Sequence, residues 1–230
     1  MLERFVFFNL EQQDFVVLPE LDTYLSTVEV ARRLGTIVEI DRLLPSSGIP
    51  NVQSLRPRNA TEAKQNQYSG NYGHGLFPLH TDLAHWVLPP RYLLLRCLVG
   101  AEDVFTNLLP SKYALDLVGK AALQKAVFRG RRREYGCSGL VRAISYHHQE
   151  EIFRWDPIFL QPLNRNARRL KIVMHDPACN RSLMTVRLTK PGDTIIIDNW
   201  RMLHGRSSVS ARSTGRHIER VYLSEVFNDS

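Results

Sequence analysis

The run Tyr92-Leu-Leu-Leu-Arg-Cys-Leu-Val99 constrains this chain more than any other stretch: nearly all apolar, it is ended by Gly100. It is far short of the ~20 residues of a membrane-spanning helix and has the length of a buried strand. Thr194-Ile-Ile-Ile197 repeats the pattern, entered from the turn Lys190-Pro191-Gly192-Asp193. Leu183 to Leu188 and Arg216 to Val226 alternate in polarity, as half-buried strands do. Helical patterning is seen over Thr27 to Leu34, where Val28, Ala31 and Leu34 share a face, with Ser26 or Thr27 as N-cap and Gly35 past the end. Ser111 to Val127 also reads as helical. Many short strands with turn signals and few helices predict a mainly β fold with flanking helices, its core a double-stranded β-helix (a cupin-like jelly roll).

The 230 residues contain no internal repeat, low-complexity tract or dividing linker, so a single domain over 1–230 with a sizeable core is expected. Leu43 to Tyr72, rich in Pro, Ser, Asn, Gln and Gly, reads as an extended loop beside a functional site. The first residues lack a basic n-region and a cleavage site, and Glu11 to Asp14 follow at once, so no secretory signal is expected. Cys97, Cys137 and Cys179 have no CxxC spacing and leave one over, which fits a reducing, cytoplasmic setting better than a disulfide framework. The net charge of +7 gathers in Arg129-Gly130-Arg131-Arg132-Arg133 and in Arg165, Arg168, Arg169 and Lys171. No aromatic interleaving or nucleic-acid motif accompanies them, so they read as solvated faces or as steering for anions.

His80-Thr81-Asp82 is the first piece of chemistry. At i and i+2 of a strand or strand end, two side chains point the same way, ~7 Å apart along the chain. Both can turn toward one ion, and a third ligand from a distant strand completes a triangular face. Two histidines and one carboxylate with open positions opposite suit Fe(II). Taken alone the pattern is weak, since His148-Gln149-Glu150 matches it too, beside His147. Context separates the two. The first lies in Gly75-Leu-Phe-Pro-Leu-His-Thr-Asp-Leu-Ala-His-Trp86, just before Pro89-Pro90-Arg91 and the apolar run. A histidine that could partner it lies in Asp198-Asn-Trp-Arg-Met-Leu-His204-Gly-Arg206, straight after Thr194 to Ile197.

These two blocks, roughly Ser69 to Val99 and Lys190 to Val226, resemble the TauD/TfdA branch of 2-oxoglutarate-dependent dioxygenases, with its clavaminate synthase and γ-butyrobetaine hydroxylase relatives. Between the blocks the likeness is loose. The resemblance implies that His80, Asp82 and His204 are iron ligands, and that Fe(II), 2-oxoglutarate and O₂ are the cofactors. His74 and His85 read as loop or supporting residues.

2-Oxoglutarate has a second carboxylate that needs a fixed cation, and a planar guanidinium meets it with two parallel hydrogen bonds. If Arg216 to Val226 is a strand, Arg216, Ile218, Arg220 and Tyr222 face one side. Two inward arginines are costly without anionic partners, which favours a functional reading. The resemblance gives Arg216 the far carboxylate of 2-oxoglutarate and Arg220 the substrate or the metal-bound end of the cosubstrate, and Arg206 reads as a supporting ion pair. It departs at the family's carboxylate-binding threonine. The equivalent run is Ala101-Glu102-Asp103-Val104, so Thr106 is the candidate for that contact. Ser69 and Tyr72, in Tyr68-Ser69-Gly70-Asn71-Tyr72, resemble substrate-facing positions, and Arg154-Trp155-Asp156-Pro157 resembles a segment near the pocket mouth.

The expected activity is therefore hydroxylation of an unactivated C–H bond in a small polar, carboxylate-bearing, amino-acid-like substrate. The presence of Asp82 speaks for hydroxylation over halogenation. The partner expected is a small anionic or zwitterionic molecule, with no membrane and with a homo-oligomer left open. Two alternatives stand: the same chemistry on a protein or nucleic acid docked on the basic surface, and a non-catalytic jelly roll that binds an anion or metal.

Overall fold

The computed structural model describes residues 1–44, 48–65, 67–131 and 139–228. Cys137, Arg132 and Arg133 lie outside them. In chain order the strands are β1 (Phe15–Leu18), β2 (Gly35–Ile37), β3 (Gln53–Leu55), β4 (Phe77–His80) and β5 (Tyr92–Val99). β6 (Phe105–Pro110), β7 (Val127–Gly130), β8 (Leu140–Arg142), β9 (Ile144–His147) and β10 (Glu150–Phe153) follow. The last are β11 (Leu160–Pro162), β12 (Met184–Arg187), β13 (Thr194–Asp198), β14 (Met202–Arg206) and β15 (His217–Val226). The helices are α1 (Leu2–Gln13), α2 (Thr27–Leu34), α3 (Ile40–Leu43), α4 (Tyr68–Tyr72), α5 (Lys112–Val118), α6 (Lys120–Gln124) and α7 (Arg165–His175).

Two antiparallel sheets face one another. The larger has the order β1-β13-β5-β15-β2, with β3 also on β15, and the smaller has the order β12-β6-β14-β4. Between them lie Leu93, Leu95, Cys97, Ile195, Ile197, Ile218 and Tyr222 from one sheet and Leu108, Leu188 and Met202 from the other side. The alternate residues of the larger sheet, Tyr92, Leu94, Ile196, Val221 and Leu223, pack outward against α1 and α2 through Val6, Leu10, Val30, Ala31 and Leu34. Both faces of β5 are thus covered, which is why its sequence is apolar without alternation. Outside the smaller sheet, Leu109 and Leu203 join a third cluster with Ala167, Leu170 and Met174 of α7 and with the short strands β7, β8 and β11. The jelly-roll expectation stands: two facing antiparallel sheets enclose one core, with helices packed outside them.

Helix α2 begins and ends where its pattern predicts. The Ser26 hydroxyl accepts from Glu29 N, and Glu29 returns a bond to Ser26 N. Such a cap is worth about 1 kcal/mol. The turn into β13 also forms as read: Gly192 takes φ 88°, and Asp193 N donates to the Lys190 carbonyl. Three expectations need correction. Ser111 to Val127 is not one helix, because Gly119 at φ 89° breaks it into α5 and α6, and β7 begins at Val127. Leu43 to Tyr72 is not all loop, since it holds β3, which pairs with β15, and α4. Helices are also more numerous than expected. The basic run at 165–171 is the solvated face of α7, whose Ala167, Leu170 and Met174 are buried.

At the exit of β13, Asp198 is buried. It accepts from Trp200 N and faces Arg91 Nε at 3.4 Å and Arg201 Nε at 3.9 Å. Burial raises its carboxyl to about 6, against the pull of both arginines. A carboxyl raised in the folded state destabilises the fold where it is ionised, above about pH 6. That penalty is relieved as pH falls from the folded value toward the unfolded value near ~4. From pH 7 to pH 5 this one group should therefore add about 1 kcal/mol to the unfolding free energy. In Asp198→Asn that increment should disappear from denaturation curves at the two pH values, and an equal increment in both proteins would refute the assignment.

Candidate metal centre and its surroundings

β4 and β14 are neighbours in the smaller sheet, and His80 and His204 are direct cross-strand partners. Such partners present their side chains on one face, and the two imidazole centroids lie 4.4 Å apart. Gly205 lets the strands approach, since a Cβ there would stand 2.6 Å from the Phe77 carbonyl oxygen. Asp82 follows β4 by two residues, in a turn rather than on the strand, and still reaches the same point. Its Oδ1 is 3.4 Å from His80 Nε2 and its Oδ2 is 3.8 Å from His204 Nε2. All three side chains are buried, and one donor atom from each lies within 4.8 Å of the others. His80 Nδ1 is 2.9 Å from the Pro78 carbonyl. A carbonyl only accepts, so Nδ1 carries the proton and Nε2 keeps its lone pair for a metal.

Two clasps fix this geometry. Asp82 N donates to Asn199 Oδ1, while Asn199 Nδ2 donates to the carbonyls of Asp82 and Pro90. Thr81 N donates to the Trp155 carbonyl, and Trp155 N donates back to Thr81 Oγ1. The carboxylate itself is held from β15: Arg220 Nη1 at 2.9 Å and the Tyr222 hydroxyl at 3.0 Å both donate to Oδ2. Gln53 Oε1 steadies Arg220 from β3. Burial works to raise the Asp82 carboxyl, but Arg220 and the two imidazoles together hold it well below the usual carboxylate range. His204 is lowered by burial and by His80. Burial also opposes the charged form of His80, yet its contact with Asp82 leaves it raised. Two imidazoles and an ionised carboxylate converging in a buried pocket are a donor set that fits a divalent iron.

The sequence places Arg216, Ile218, Arg220 and Tyr222 on one face. Ile218, Arg220 and Tyr222 do pair with Cys97, Leu95 and Leu93 of the inner core. Arg216 lies just ahead of β15, buried, with no hydrogen bond or ion pair from its side chain among the described residues and with Nε lacking an acceptor. Burial lowers its pKa. Thr106 stands opposite Arg206 on β14, two positions from Leu108, the partner of His204, so it shares the ligand face. Val104 is buried in an apolar cluster with Ala101 and Val209. The Arg206 ion pair is not found. Its guanidinium lies 3.6 Å over the Phe77 ring and donates to the carbonyls of Gly73 and Gly75, no carboxylate being near enough among the described residues.

Ser69 and Tyr72 stand on α4. Tyr72 lies 6.2 Å from Phe77, and the Ser69 carbonyl closes the helix with Gly73 N. Tyr68, in the same motif, is the residue that touches the triangle: its ring stacks 4.1 Å from His80. Its hydroxyl donates to Asp156 Oδ2 at 3.0 Å. Asp156 also accepts from Ile158 N and Phe159 N, and burial raises its carboxyl to about 6, against His80 and those bonds. Arg154 is buried on the Val87 carbonyl and Ser145, and burial lowers it to about 10. Sequence reasoning missed Gln53, whose contact with Arg220 spans 167 positions. His148 and Glu150 gather no third ligand among the described residues: His148 sits in a turn at φ 46°, and Glu150 is taken by Arg201 at 2.7 Å.

The profile of the Taurine catabolism dioxygenase TauD, TfdA family matches residues 176–222. That segment holds His204, Arg216 and Arg220, but not His80 or Asp82. Clavaminate synthase 2 of Streptomyces clavuligerus is 28% identical over 163 residues, covering 64% of this chain and 50% of that protein. The chain thus spans half the length of this curated relative. Among solved structures, asparagine oxygenase in complex with Fe(II), 3-hydroxyasparagine and succinate superposes with a TM-score of 0.69 at 19% identity, over 96% of this chain and 78% of that one. OrfP in complex with Fe and α-ketoglutaric acid gives 0.62 at 21%, over 97% and 80%. PvcB, an Fe, α-ketoglutarate-dependent oxygenase, gives 0.64 at 17%, over 96% and 79%. The chain is similar to the TauD, TfdA dioxygenases in the segment that carries its distal histidine and both arginines, on a fold that it shares with solved iron oxygenases.

Proposed function

We propose that this chain is an Fe(II)- and 2-oxoglutarate-dependent oxygenase that hydroxylates an unactivated C–H bond of a small, carboxylate-bearing, amino-acid-like substrate. The observation that carries the reading is the buried triangle of His80, Asp82 and His204 in a chain that also buries an unpartnered guanidinium, Arg216. His80 and His204 would hold the iron through Nε2, and Asp82 through Oδ1, because Oδ2 is taken by Arg220 and Tyr222. When bound, iron supplies oxidation of the substrate coupled to decarboxylation of 2-oxoglutarate to succinate.

The protein's own part is positioning and exclusion of water. Arg216 would grip the far carboxylate of 2-oxoglutarate, with Thr106 on the same wall. Arg220 acts first on Asp82, since two of its nitrogens are engaged there and on Gln53. Ser69 and Tyr72 would face the substrate from α4, whose Tyr68 covers His80. The substrate class is supported by the hydroxylated amino acid bound to asparagine oxygenase.

Anaerobic reconstitution with Fe(II) tests this directly. Adding 2-oxoglutarate should bring up the weak visible band of its chelate with iron, and His204→Ala should not show it. A well-folded intact protein that gives no band under these conditions would end the reading.

A further inference from the structure

Helix α1 shows apolar side chains to solvent on one face. Met1, at its N-cap, and Phe5 and Phe8 stand at i, i+4 and i+7, with Phe5 52% and Phe8 62% exposed. That spacing lines residues up along one side of a helix. Val6 and Leu10, on the opposite side, pack with Leu94, Ile196 and Val221 of the larger sheet. Single exposed apolar residues are ordinary, whereas neighbouring rings on one face mark a surface suited to contact.

Two opposite charges share this face. Arg4, Phe8 and Glu11 also stand at i, i+4 and i+7, so Phe8 belongs to the apolar row and to the charged one. Arg4 is exposed and has no ion pair among the described residues. The side chain of Glu11 is 40% exposed and faces Arg91 at 3.7 Å, beyond hydrogen-bonding distance. Arg4 and Glu11 are separated by about 10 Å along the helix axis, with Phe8 close to the midpoint. A two-fold axis through that midpoint turns the row onto itself. It brings Arg4 of each copy to the partner's Glu11 and sets the two Phe8 rings against each other at the centre. The face is therefore complementary to itself in charge as well as apolar in its middle. An anionic lipid surface matches it poorly, since α1 sets Glu3 and Glu11 against Arg4 alone.

We propose that α1 is a homodimer interface, in which two copies of this chain pack these helices antiparallel through Phe5 and Phe8 and close the contact with two Arg4–Glu11 ion pairs. The metal-site residues lie on β4, on β14 and in the turn after β4, so the dimer stands or falls independently of the proposed function. One helix face is small beside the ~800 Å² per partner of a standard interface, so association is weak, with a dissociation constant of about 10–100 µM.

Sedimentation equilibrium of the full chain from about 1 to 300 µM tests this, the mass rising with concentration toward twice the 26.5 kDa of one chain. Phe8→Ser should raise the dissociation constant about tenfold or more, with the melting temperature unchanged because the ring is exposed. If that variant melts lower, Phe5→Ser is read in its place. Arg4→Glu and Glu11→Lys should each weaken association by about threefold or more, and the double variant Arg4→Glu/Glu11→Lys should recover the original constant within about twofold. A monomer at every concentration overturns the proposal, and its sedimentation with phosphatidylglycerol vesicles would give the face to a lipid surface instead. A dimer indifferent to both phenylalanine changes overturns it as well. A double variant no stronger than the weaker single variant refutes the antiparallel pairing.

Discussion

Asp82→Ala is expected to abolish Fe(II) binding and, in the metal-free protein, to lower the melting temperature at the same time. The first effect follows from removing the only carboxylate of the triangle, which leaves two imidazoles on adjacent strands. The second follows from Arg220. Its side chain is 22% exposed and that of Asp82 8%, and their contact of 2.9 Å is lost. Removing one partner of a fully buried pair costs about 3–5 kcal/mol. The residual exposure of Arg220 brings the expectation to about 2–3 kcal/mol. For a chain of this size that is about 5–10 °C in the melting temperature. Arg220→Met in the Asp82→Ala background should return most of the stability and none of the metal binding. Calorimetric titration and thermal melts separate the two effects, and Fe(II) affinity within about tenfold of the intact protein would dismantle the three-residue site.

Arg216→Met is expected to move stability and binding in opposite directions. A methionine fills much of the same volume without a charge, so the metal-free variant should gain about 1 kcal/mol, because an unpaired guanidinium no longer has to be desolvated. The same change removes the cation that would meet the far carboxylate of 2-oxoglutarate. With only the neutral Thr106 hydroxyl left for that carboxylate, the affinity should fall by about 100-fold or more. Denaturant unfolding reads the first quantity and titration of the chelate band the second. A destabilised variant that binds 2-oxoglutarate normally would make Arg216 a structural residue.

What could be read in advance was local. Tyr92–Val99 and Thr27–Leu34 emerge with the bounds their patterns gave, because an uninterrupted apolar run and a complete capping box are written in consecutive residues. Helix α1 was not legible: Val6 and Leu10 are buried, but Phe5 and Phe8 are exposed, so its apolar residues encircle it and blur the period. In α7 the arginines drew attention, while the buried Ala167, Leu170 and Met174 at helical spacing among them went unread. The short strands β7 to β11 carry three or four residues each, too few to show alternation. At the site, the three residues that converge, His80, Asp82 and His204, could be picked out because each lies in a short motif. Contacts that join motifs could not. The grip of Arg220 on Asp82 spans 138 positions and the Tyr68 bond to Asp156 spans 88, and no local pattern announces either.

The pairing of His80 with His204 has a further consequence. β4 is the edge of its sheet, bonded on one side to β14 and on the other to nothing among the described strands. A slip of one residue in that pairing would turn His80 out of the core, because side chains alternate faces along a strand. An ion held by both histidines would act as a rivet through two adjacent strands, since its binding energy is spent only in the correct register. Edges of this kind are ready templates for pairing with a second chain. In this molecule the ion that serves the chemistry would also be what closes that edge to misassembly.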